Sequence, residues 1–187
     1  MKKSKPRILD AGCGNRTMWT LKDSPHILYV DTEPELSYPP DQFVNITETD
    51  FKDKRFHLIF FDPPHEFGRT KNTSMFTTPN REVCNEKWPK WARKAHPRYY
   101  GTDKYSSRKQ LKEYVYYAQK EFYRIGTDDC VLMFKWSENR FDLEDIMNNL
   151  VWWKTIMTIP IKTASENATP SYWVMLMKLE GQRQGSL

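Results

Sequence analysis

Residues 56–65 read FHLIFFDPPH, an apolar run that ends in an aspartate, two prolines and a histidine. An apolar run of this kind is typical of a strand that is buried on both of its faces. Because proline has no backbone N–H, two consecutive prolines end a strand and fix the backbone that follows it. The sequence therefore predicts a buried strand over 56–62 whose carboxyl end presents a rigid backbone and a carboxylate.

Similar apolar segments recur along the chain, and they predict strands over residues 7–10, 26–31, 43–46, 56–62, 130–136, 153–161 and 171–179. Helices are predicted over 17–22, over 142–150 with Asp142 as its cap, and between an S-x-x-Q capping box at Ser107 and a closing glycine at Gly126. Alternating strands and helices predict an α/β fold with a doubly wound, mostly parallel seven-stranded sheet. The last two strands are joined by a loop alone, so they are expected to form an antiparallel hairpin.

The composition narrows the class of protein. Hydrophobic residues make up 39% of the chain, enough for a core, and no apolar run approaches the roughly 20 residues of a membrane span. The three cysteines lie far apart without a CxxC pair, and the four histidines show no ligand spacing, so neither a disulfide framework nor a metal site is expected. A cytoplasmic protein is the expectation.

The domain organisation follows from where the alternation of predicted strands and helices is interrupted. We expect one domain over residues 1–180, with an insertion at about 66–105 and a disordered tail over 181–187. Residues 66–104 carry nine positive and four acidic side chains, a net +5 that equals the net charge of the whole chain. Aromatic residues alternate with these charges. Such a composition is typical of surfaces that track phosphates and stack on bases.

Acidic residues follow four of the predicted strands, at Asp10, Asp31, Asp50 and Asp62. In a parallel sheet the carboxyl ends of the strands meet at one edge, which is where ligands bind in open α/β folds. Two glycines, Gly12 and Gly14, follow the first strand and allow a tight turn there. The sequence therefore predicts a ligand site at the carboxyl edge of the sheet.

Several of these segments resemble known motifs. DAGCGN (10–15) resembles motif I of class I S-adenosylmethionine-dependent methyltransferases, and DPPH (62–65) resembles the DPPY-type motif of amino-methyltransferases that act on adenine or cytosine in nucleic acid. The resemblance covers about 1–65 and 106–180, and the small methyltransferases of phage and prokaryotic genomes are similar. It implies a Rossmann-like methyltransferase fold with S-adenosyl-L-methionine as cofactor. The residues that it assigns to cofactor binding are Asp10, Ala11, Gly12, Gly14, Asp31, Asp50 and Phe51.

The resemblance also implies a reaction, which is methyl transfer to an exocyclic base amine. Adenine N6 in DNA is the first expectation and an RNA base amine the second. The Asp62 carboxylate and the Pro63 carbonyl would accept the two amine hydrogens, with Pro64 holding the backbone and His65 stacking on the base. His65 stands where the family usually has a larger aromatic residue.

The expected nucleic-acid partner would be bound in part by the insertion, through Arg69, Lys71, Lys90, Trp91, Arg93 and Lys94. At the end of the fifth predicted strand, Lys135 and Trp136 fit two interpretations equally: contact with substrate, or a lysine lying along apolar surface beside a packed tryptophan. No feature of the sequence predicts an oligomeric state.

Three alternatives remain at this point. The chain could methylate a small molecule or a protein, with His65 as a base. It could be a non-catalytic nucleic-acid-binding module on a methyltransferase fold, which would bind nucleic acid without cofactor. A nicotinamide enzyme is disfavoured, because no third glycine completes the G-x-G-x-x-G pattern after Gly12 and Gly14.

Overall fold

A computed structural model describes residues 6–65, 105, 107–138, 141–162 and 169–179, and it contains the predicted α/β sheet. The seven strands lie in the order β3-β2-β1-β4-β5-β7-β6. Their bounds are Ile8–Ala11 for β1, Ile27–Asp31 for β2, Gln42–Phe43 for β3, Phe56–Phe61 for β4, Gly126–Ser137 for β5, Trp153–Pro160 for β6 and Ser171–Lys178 for β7.

The first five strands run parallel, and the last two form the expected antiparallel pair. The central strands β1 and β4 pair with Ala11 opposite Phe61, so both strands end at the same level. On the other side of β4, Phe61 pairs with Phe134 of β5, which runs three residues further. This register brings the residues that follow β1 and β4 together at the carboxyl edge.

Helix α1, Arg108–Ile125, covers one face of the sheet. Its start is confirmed by Ser107, whose side chain accepts a hydrogen bond from the backbone N–H of Gln110 at 3.3 Å, and Gly126 ends it. The residues at helical spacing are all fully buried in one core cluster with Ile59 and Phe61 of β4 and Leu132 and Phe134 of β5; they are Leu111, Val115, Ala118, Phe122 and Ile125.

The opposite face is covered near β1 and β2 by residues 12–26, which form turns and not the helix predicted over 17–22. The reason is Arg16, a buried residue with a positive φ of 53°. Its guanidinium donates to the carbonyls of Lys22 and Pro39, at 2.6 Å each, and lies 3.9 Å from the centre of the Tyr29 ring. These bonds hold the segment in turns by tying Arg16 both to its end at Lys22 and to Pro39.

Three elements differ from their predicted bounds by more than one residue at an end. Strand β3 has only two residues. The N–H of Val44 still bonds to the carbonyl of Asp31 in β2, and the chain leaves the sheet after that bond. Helix α2, Leu143–Met147, is shorter than predicted, and Asp142 precedes it without a side-chain capping bond. Strand β5 begins at Gly126, directly after α1, because the N–H of Gly126 still bonds to the helix carbonyl of Phe122 while the residue pairs with Phe56.

The predicted insertion and tail lie outside the described residues, apart from Tyr105. No helix in the described part of the chain is long and apolar enough to cross a membrane.

The last turn of α1 is joined to residues 49–53 through the side chain of Arg124, which yields a stability prediction. Arg124 bonds to both oxygens of Glu121 and to the carbonyls of Thr49 and Phe51. Arg124→Ala leaves the buried Glu121 carboxylate without its cation. Since the Arg124 side chain is 29% exposed, we expect a loss of about 2–3 kcal/mol in the free energy of unfolding, less than for a fully buried pair.

The measurement is urea unfolding, and the control is Lys54→Ala, which removes an ion pair between two exposed side chains, Lys54 and Asp128. We expect no measurable change from the control. Equal urea midpoints for the two variants would show that the Arg124 network does not stabilise the fold.

Candidate active site

The carboxyl edge is built where β1 and β4 end side by side. The chain leaves β1 at Gly12, whose φ is +83°, a conformation that side chains other than glycine rarely adopt. A β-carbon at Gly12 would lie 4.0 Å from the carbonyl oxygen of Asp62. The glycine turn and the DPPH segment, 50 residues apart in sequence from Gly12 to Asp62, therefore lie side by side.

Backbone bonds hold the glycine turn against β2. The N–H groups of Gly12 and Cys13 both donate to the carbonyl of Val30, at 2.9 and 3.0 Å. Gly14 has a φ of +48°, and a β-carbon there would meet no atom within 4 Å. Ala11 is fully buried in the core, so only its backbone is available to a ligand. The turn therefore presents bare backbone beside open space.

Asp31, at the end of β2, fixes the turn from the other side. Its Oδ2 accepts from the N–H of Gly14 at 2.9 Å, and its Oδ1 accepts from the N–H groups of Thr32 and Glu33 at 2.7 and 2.9 Å. A carboxylate offers about four lone-pair sites, so a further donor can still be accepted.

Asp10 lies beneath this edge and is fully buried. The indole N–H of Trp19 donates to its Oδ2 at 2.7 Å, while its Oδ1 has no partner among the described residues. The pKa of Asp10 is raised to about 7, chiefly by burial; the Trp19 bond lowers it, and the charges of Asp62 and Asp31 raise it. The Asp10 carboxyl is therefore close to half protonated at neutral pH.

Asp62 follows β4 and has two charged or polar partners. Its Oδ2 lies 2.5 Å from the ammonium of Lys135, and its Oδ1 lies 3.1 Å from Nε2 of His65. Burial raises the pKa of Asp62, but the bond from His65 and the positive charge of Lys135 outweigh it and hold this pKa below its ordinary value. The Asp62 side chain is 31% exposed, so an ionised carboxylate is accessible at the carboxyl edge.

His65 does not have the exposed ring that a stacking platform needs. It is only 5% exposed, and its ring meets Trp136 edge to face at a centroid distance of 5.3 Å. Trp136 is itself fully buried, as the packing interpretation predicts. Pro63 is also buried and Pro64 partly so. The structure therefore assigns His65 to holding Asp62, and the predicted stacking is corrected.

Asp50 and Phe51 are the second correction, because they lie at the opposite edge of the sheet. The Phe51 ring packs on Phe56, the first residue of β4, at 5.3 Å, and its carbonyl accepts from Arg124 in the last turn of α1. At about 3.3 Å per residue, the five steps from Phe56 to Phe61 separate them from the carboxyl edge by roughly 16 Å. These residues cannot share a site with Gly12 and Asp62.

The residues that do follow β3 at the carboxyl edge are Val44, Asn45 and Ile46. Ile46 is buried in the core and Asn45 is exposed, with its side-chain oxygen accepting from Thr47. The sequence prediction missed Asn45 because it extended the third strand to residue 46. A polar residue inside a predicted four-residue strand was the available signal.

Two further edge residues were not assigned from the sequence. Trp19 lies in the segment that was predicted as a helix, and it reaches Asp10 only because that segment forms turns. Lys135 was left open and is a direct partner of Asp62. The six predicted substrate-binding residues of the insertion lie outside the described residues. Within the described part of the chain, no three His, Cys, Asp or Glu side chains form a metal-binding group.

Comparison with known proteins gives structural matches only. No protein-family model matches the chain, and no curated protein matches it. A SAM-dependent methyltransferase from Methanosarcina mazei matches with a TM-score of 0.56 at 10% identity, covering 96% of this chain and 94% of its own. A TehB-like SAM-dependent methyltransferase from Corynebacterium glutamicum matches with a TM-score of 0.52 at 13% identity, covering 94% and 81%.

The N-methyltransferase NodS from Bradyrhizobium japonicum, in complex with S-adenosyl-L-homocysteine, also matches, with a TM-score of 0.52 at 12% identity, covering 94% of this chain and 79% of its own. At such low identities these matches establish the fold. The chain has the Rossmann-like fold of SAM-dependent methyltransferases, with the antiparallel pair at the end of the sheet.

The buried Asp10 carboxyl generates a prediction about pH. Its pKa is about 7 in the folded protein and 3.8 ordinarily. Between these values the folded protein holds a proton that the unfolded chain has lost, so this contribution to stability is full below pH 4 and is lost as the pH rises to 7. Asp10→Asn removes it.

We expect the wild type to lose up to about 4 kcal/mol of unfolding free energy relative to Asp10→Asn between pH 4 and pH 7. Urea unfolding of both proteins across this range measures the difference. Parallel profiles would show that Asp10 is ionised in the folded protein throughout.

Proposed function

We propose that this chain is an S-adenosylmethionine-dependent methyltransferase that methylates an exocyclic base amine in nucleic acid, adenine N6 of DNA first and an RNA base amine second. One observation carries the proposal. The glycine turn after β1 lies beside the DPPH segment after β4, because a β-carbon added at Gly12 would be only 4.0 Å from the Asp62 carbonyl oxygen. A cofactor on the turn and an acceptor on DPPH would therefore be neighbours.

The residues at the carboxyl edge fit the cofactor. Gly12 and Gly14 leave room for close approach to the backbone, Asp31 can accept from ribose hydroxyls, and the free Oδ1 of Asp10 suits a cationic ammonium. For the adenine we propose Asn45 and Ile46, because Asp50 and Phe51 lie at the other edge. When bound, S-adenosylmethionine supplies a methyl group that is already activated by a positively charged sulfur.

The protein's own task is to prepare the acceptor amine. The lone pair of such an amine is delocalised into the base, which makes it a poor nucleophile. The Asp62 carboxylate and the Pro63 carbonyl can accept its two hydrogens, localise the lone pair and stabilise the positive charge that develops on nitrogen. Pro63 and Pro64 fix this geometry in advance, since their φ angles are locked by the ring. Because the pKa of Asp62 is lowered, the carboxylate is ionised and ready to accept.

Nucleic acid as the substrate rests on composition. The net charge of +5 over residues 66–104, with interleaved aromatic residues, matches the chemistry of a phosphate backbone and stacked bases. Arg69, Lys71, Lys90, Trp91, Arg93 and Lys94 are the proposed contacts.

A second candidate is methylation of an amine in a small molecule or a protein. The burial of His65 favours it, because the ring that would stack on a flipped base is covered by the protein's own Trp136. One structural neighbour, NodS, is an N-methyltransferase. This candidate keeps the Asp62 chemistry and makes residues 66–104 dispensable for turnover.

Cofactor binding is predicted to depend on Asn45 and not on Asp50. We expect Asn45→Ala to weaken binding of S-adenosyl-L-homocysteine about 10-fold, the effect of one lost hydrogen bond, and the exposed Asp50→Ala to leave it unchanged. Isothermal titration calorimetry measures both. Loss of binding in Asp50→Ala alone would reverse the assignment, and absence of binding by the wild type would favour a non-catalytic module.

Methyl transfer is predicted to depend on Asp62. Labelled S-adenosylmethionine is incubated with double-stranded DNA, single-stranded DNA, transfer RNA and ribosomal RNA, and the products are digested and identified as nucleosides by mass spectrometry. We expect a methylated adenine or cytosine amine, reduced about 100-fold or more in Asp62→Asn, which is similar in size but uncharged. The control is Asp50→Asn, the same substitution at an exposed aspartate near the opposite edge of the sheet.

If the wild type binds cofactor but labels no nucleic acid, the base-amine proposal is wrong, and small molecules and proteins become the substrates to test.

A further inference from the structure

Lys135 is placed to take part in acceptor recognition. It lies near the end of β5, opposite Trp173 of β7, on the sheet face away from α1. Its ammonium is 2.5 Å from Oδ2 of Asp62, and the two side chains are 29% and 31% exposed. A lysine that only filled space along apolar surface would extend its ammonium into water. Here the ammonium is directed to the one carboxylate that the proposed reaction uses.

The pair retains hydrogen-bonding capacity on both members. An ammonium has three donors, and within the described residues Lys135 uses one of them, on Asp62. The Asp62 carboxylate has about four lone-pair sites, and Lys135 and His65 occupy two. A free donor and a free acceptor are therefore adjacent at the carboxyl edge.

A flat aromatic surface lies next to the pair. The ammonium of Lys135 is 6.0 Å from the ring centre of the partly exposed Trp173. Trp173 in turn meets Phe60 edge to face at 5.9 Å, and Phe60 meets Trp19 at 4.8 Å. These contacts hold the Trp173 ring in place, so a planar ligand that engages the pair has a rigid aromatic neighbour.

We infer that Lys135 and Asp62 form a donor–acceptor pair that recognises an exocyclic amine together with the unprotonated ring nitrogen beside it. This inference rests on the proposed function. In adenine and in cytosine the amine and that nitrogen are bonded to the same carbon, so the base offers a donor next to an acceptor. Asp62 accepts from the amine while Lys135 donates to the ring nitrogen. The pair thereby selects the Watson–Crick edge of adenine or cytosine.

The same pair rejects uracil and thymine as acceptors. In the same orientation their Watson–Crick edge places a carbonyl oxygen against the Asp62 carboxylate and a ring N–H against the Lys135 ammonium, so that acceptor faces acceptor and donor faces donor. Because the Lys135 bond is already formed in the bound base, its loss should raise KM more than it lowers kcat. Lys135 is therefore a specificity residue, whereas Asp62 acts on the amine itself.

The test removes the ring nitrogen and the lysine separately. The substrate is an oligonucleotide of whichever nucleic acid accepts methyl, with the target adenine replaced by 1-deazaadenine or the target cytosine by 3-deazacytosine, in which C–H replaces the nitrogen. We expect kcat/KM to fall about 10- to 100-fold for the wild type on the deaza base and for Lys135→Met on the natural base. On the deaza base, the kcat/KM of Lys135→Met should be no lower than that of the wild type.

The cycle of four rates cancels the change in amine reactivity that the deaza base itself introduces. The control is Lys154→Met, the same substitution at an exposed lysine of β6, which should leave all rates unchanged. Urea unfolding and binding of S-adenosyl-L-homocysteine verify that each variant is folded. If Lys135→Met is not folded, Lys135→Gln is used in its place.

The outcomes separate the two claims. If Lys135→Met loses as much on the deaza base as on the natural one, or if it folds and keeps full activity, the inference is overturned while the proposed function stands. If no adenine or cytosine amine is methylated in any nucleic acid, the proposed function and this inference fall together.

Discussion

The parallel pairing of β1 with β4 is the constraint on which the site depends. Because Ala11 lies opposite Phe61, the next residues, Gly12 and Asp62, leave the sheet at the same level and side by side. A slip of one residue would place each side chain on the other face of the sheet. It would move Asp10 into the apolar core in place of Leu9 and Ala11, and it would separate Asp62 from Lys135. The buried residues of both strands therefore specify the geometry of the polar ones.

The two faces of the sheet are built differently, and the site lies on the irregular one. The face under α1 is a regular apolar core in which helix and strand residues alternate as their periods require. On the other face, over β1 and β2, the cover is a series of turns held by Arg16 and Trp19. Turns allow backbone N–H groups and a buried carboxyl to face a ligand, which a continuous helix would not, since its own bonds use those groups.

The regular parts of the fold could be predicted from the sequence, because the spacing of apolar residues and the helix-capping residues depend on local structure alone. The sheet, the antiparallel pair and the Ser107 cap follow from such signals. The turns after Gly14 could not be predicted, since they depend on Arg16 reaching the carbonyls of Lys22 and Pro39, which only the fold brings within its range. Asp50 was misplaced for a similar reason: a two-residue strand leaves no periodic signal, so the end of β3 was read too late.

Within the site, the short sequence motifs could be predicted, whereas the residues that bond to them from other strands could not. The glycine turn and DPPH were visible as short local patterns, but Lys135 lies 73 residues after Asp62 and carries no pattern of its own. The same holds for the burial of His65, which Trp136 causes from another strand. Residues that act through neighbours distant in the chain thus become apparent only from the register of the strands.

Three carboxyl groups converge at this edge, and their repulsion is relieved in three different ways. Backbone N–H groups stabilise the charge of Asp31, the Lys135 ammonium compensates Asp62, and protonation removes much of the charge of the buried Asp10 at neutral pH. A cationic ligand near Asp10 would favour its ionised form by lowering its pKa, and by linkage the ionised carboxyl would bind that ligand more tightly. The ionised Asp10 carboxyl destabilises the fold when no cation is bound near it. It is therefore suited to a positively charged cofactor.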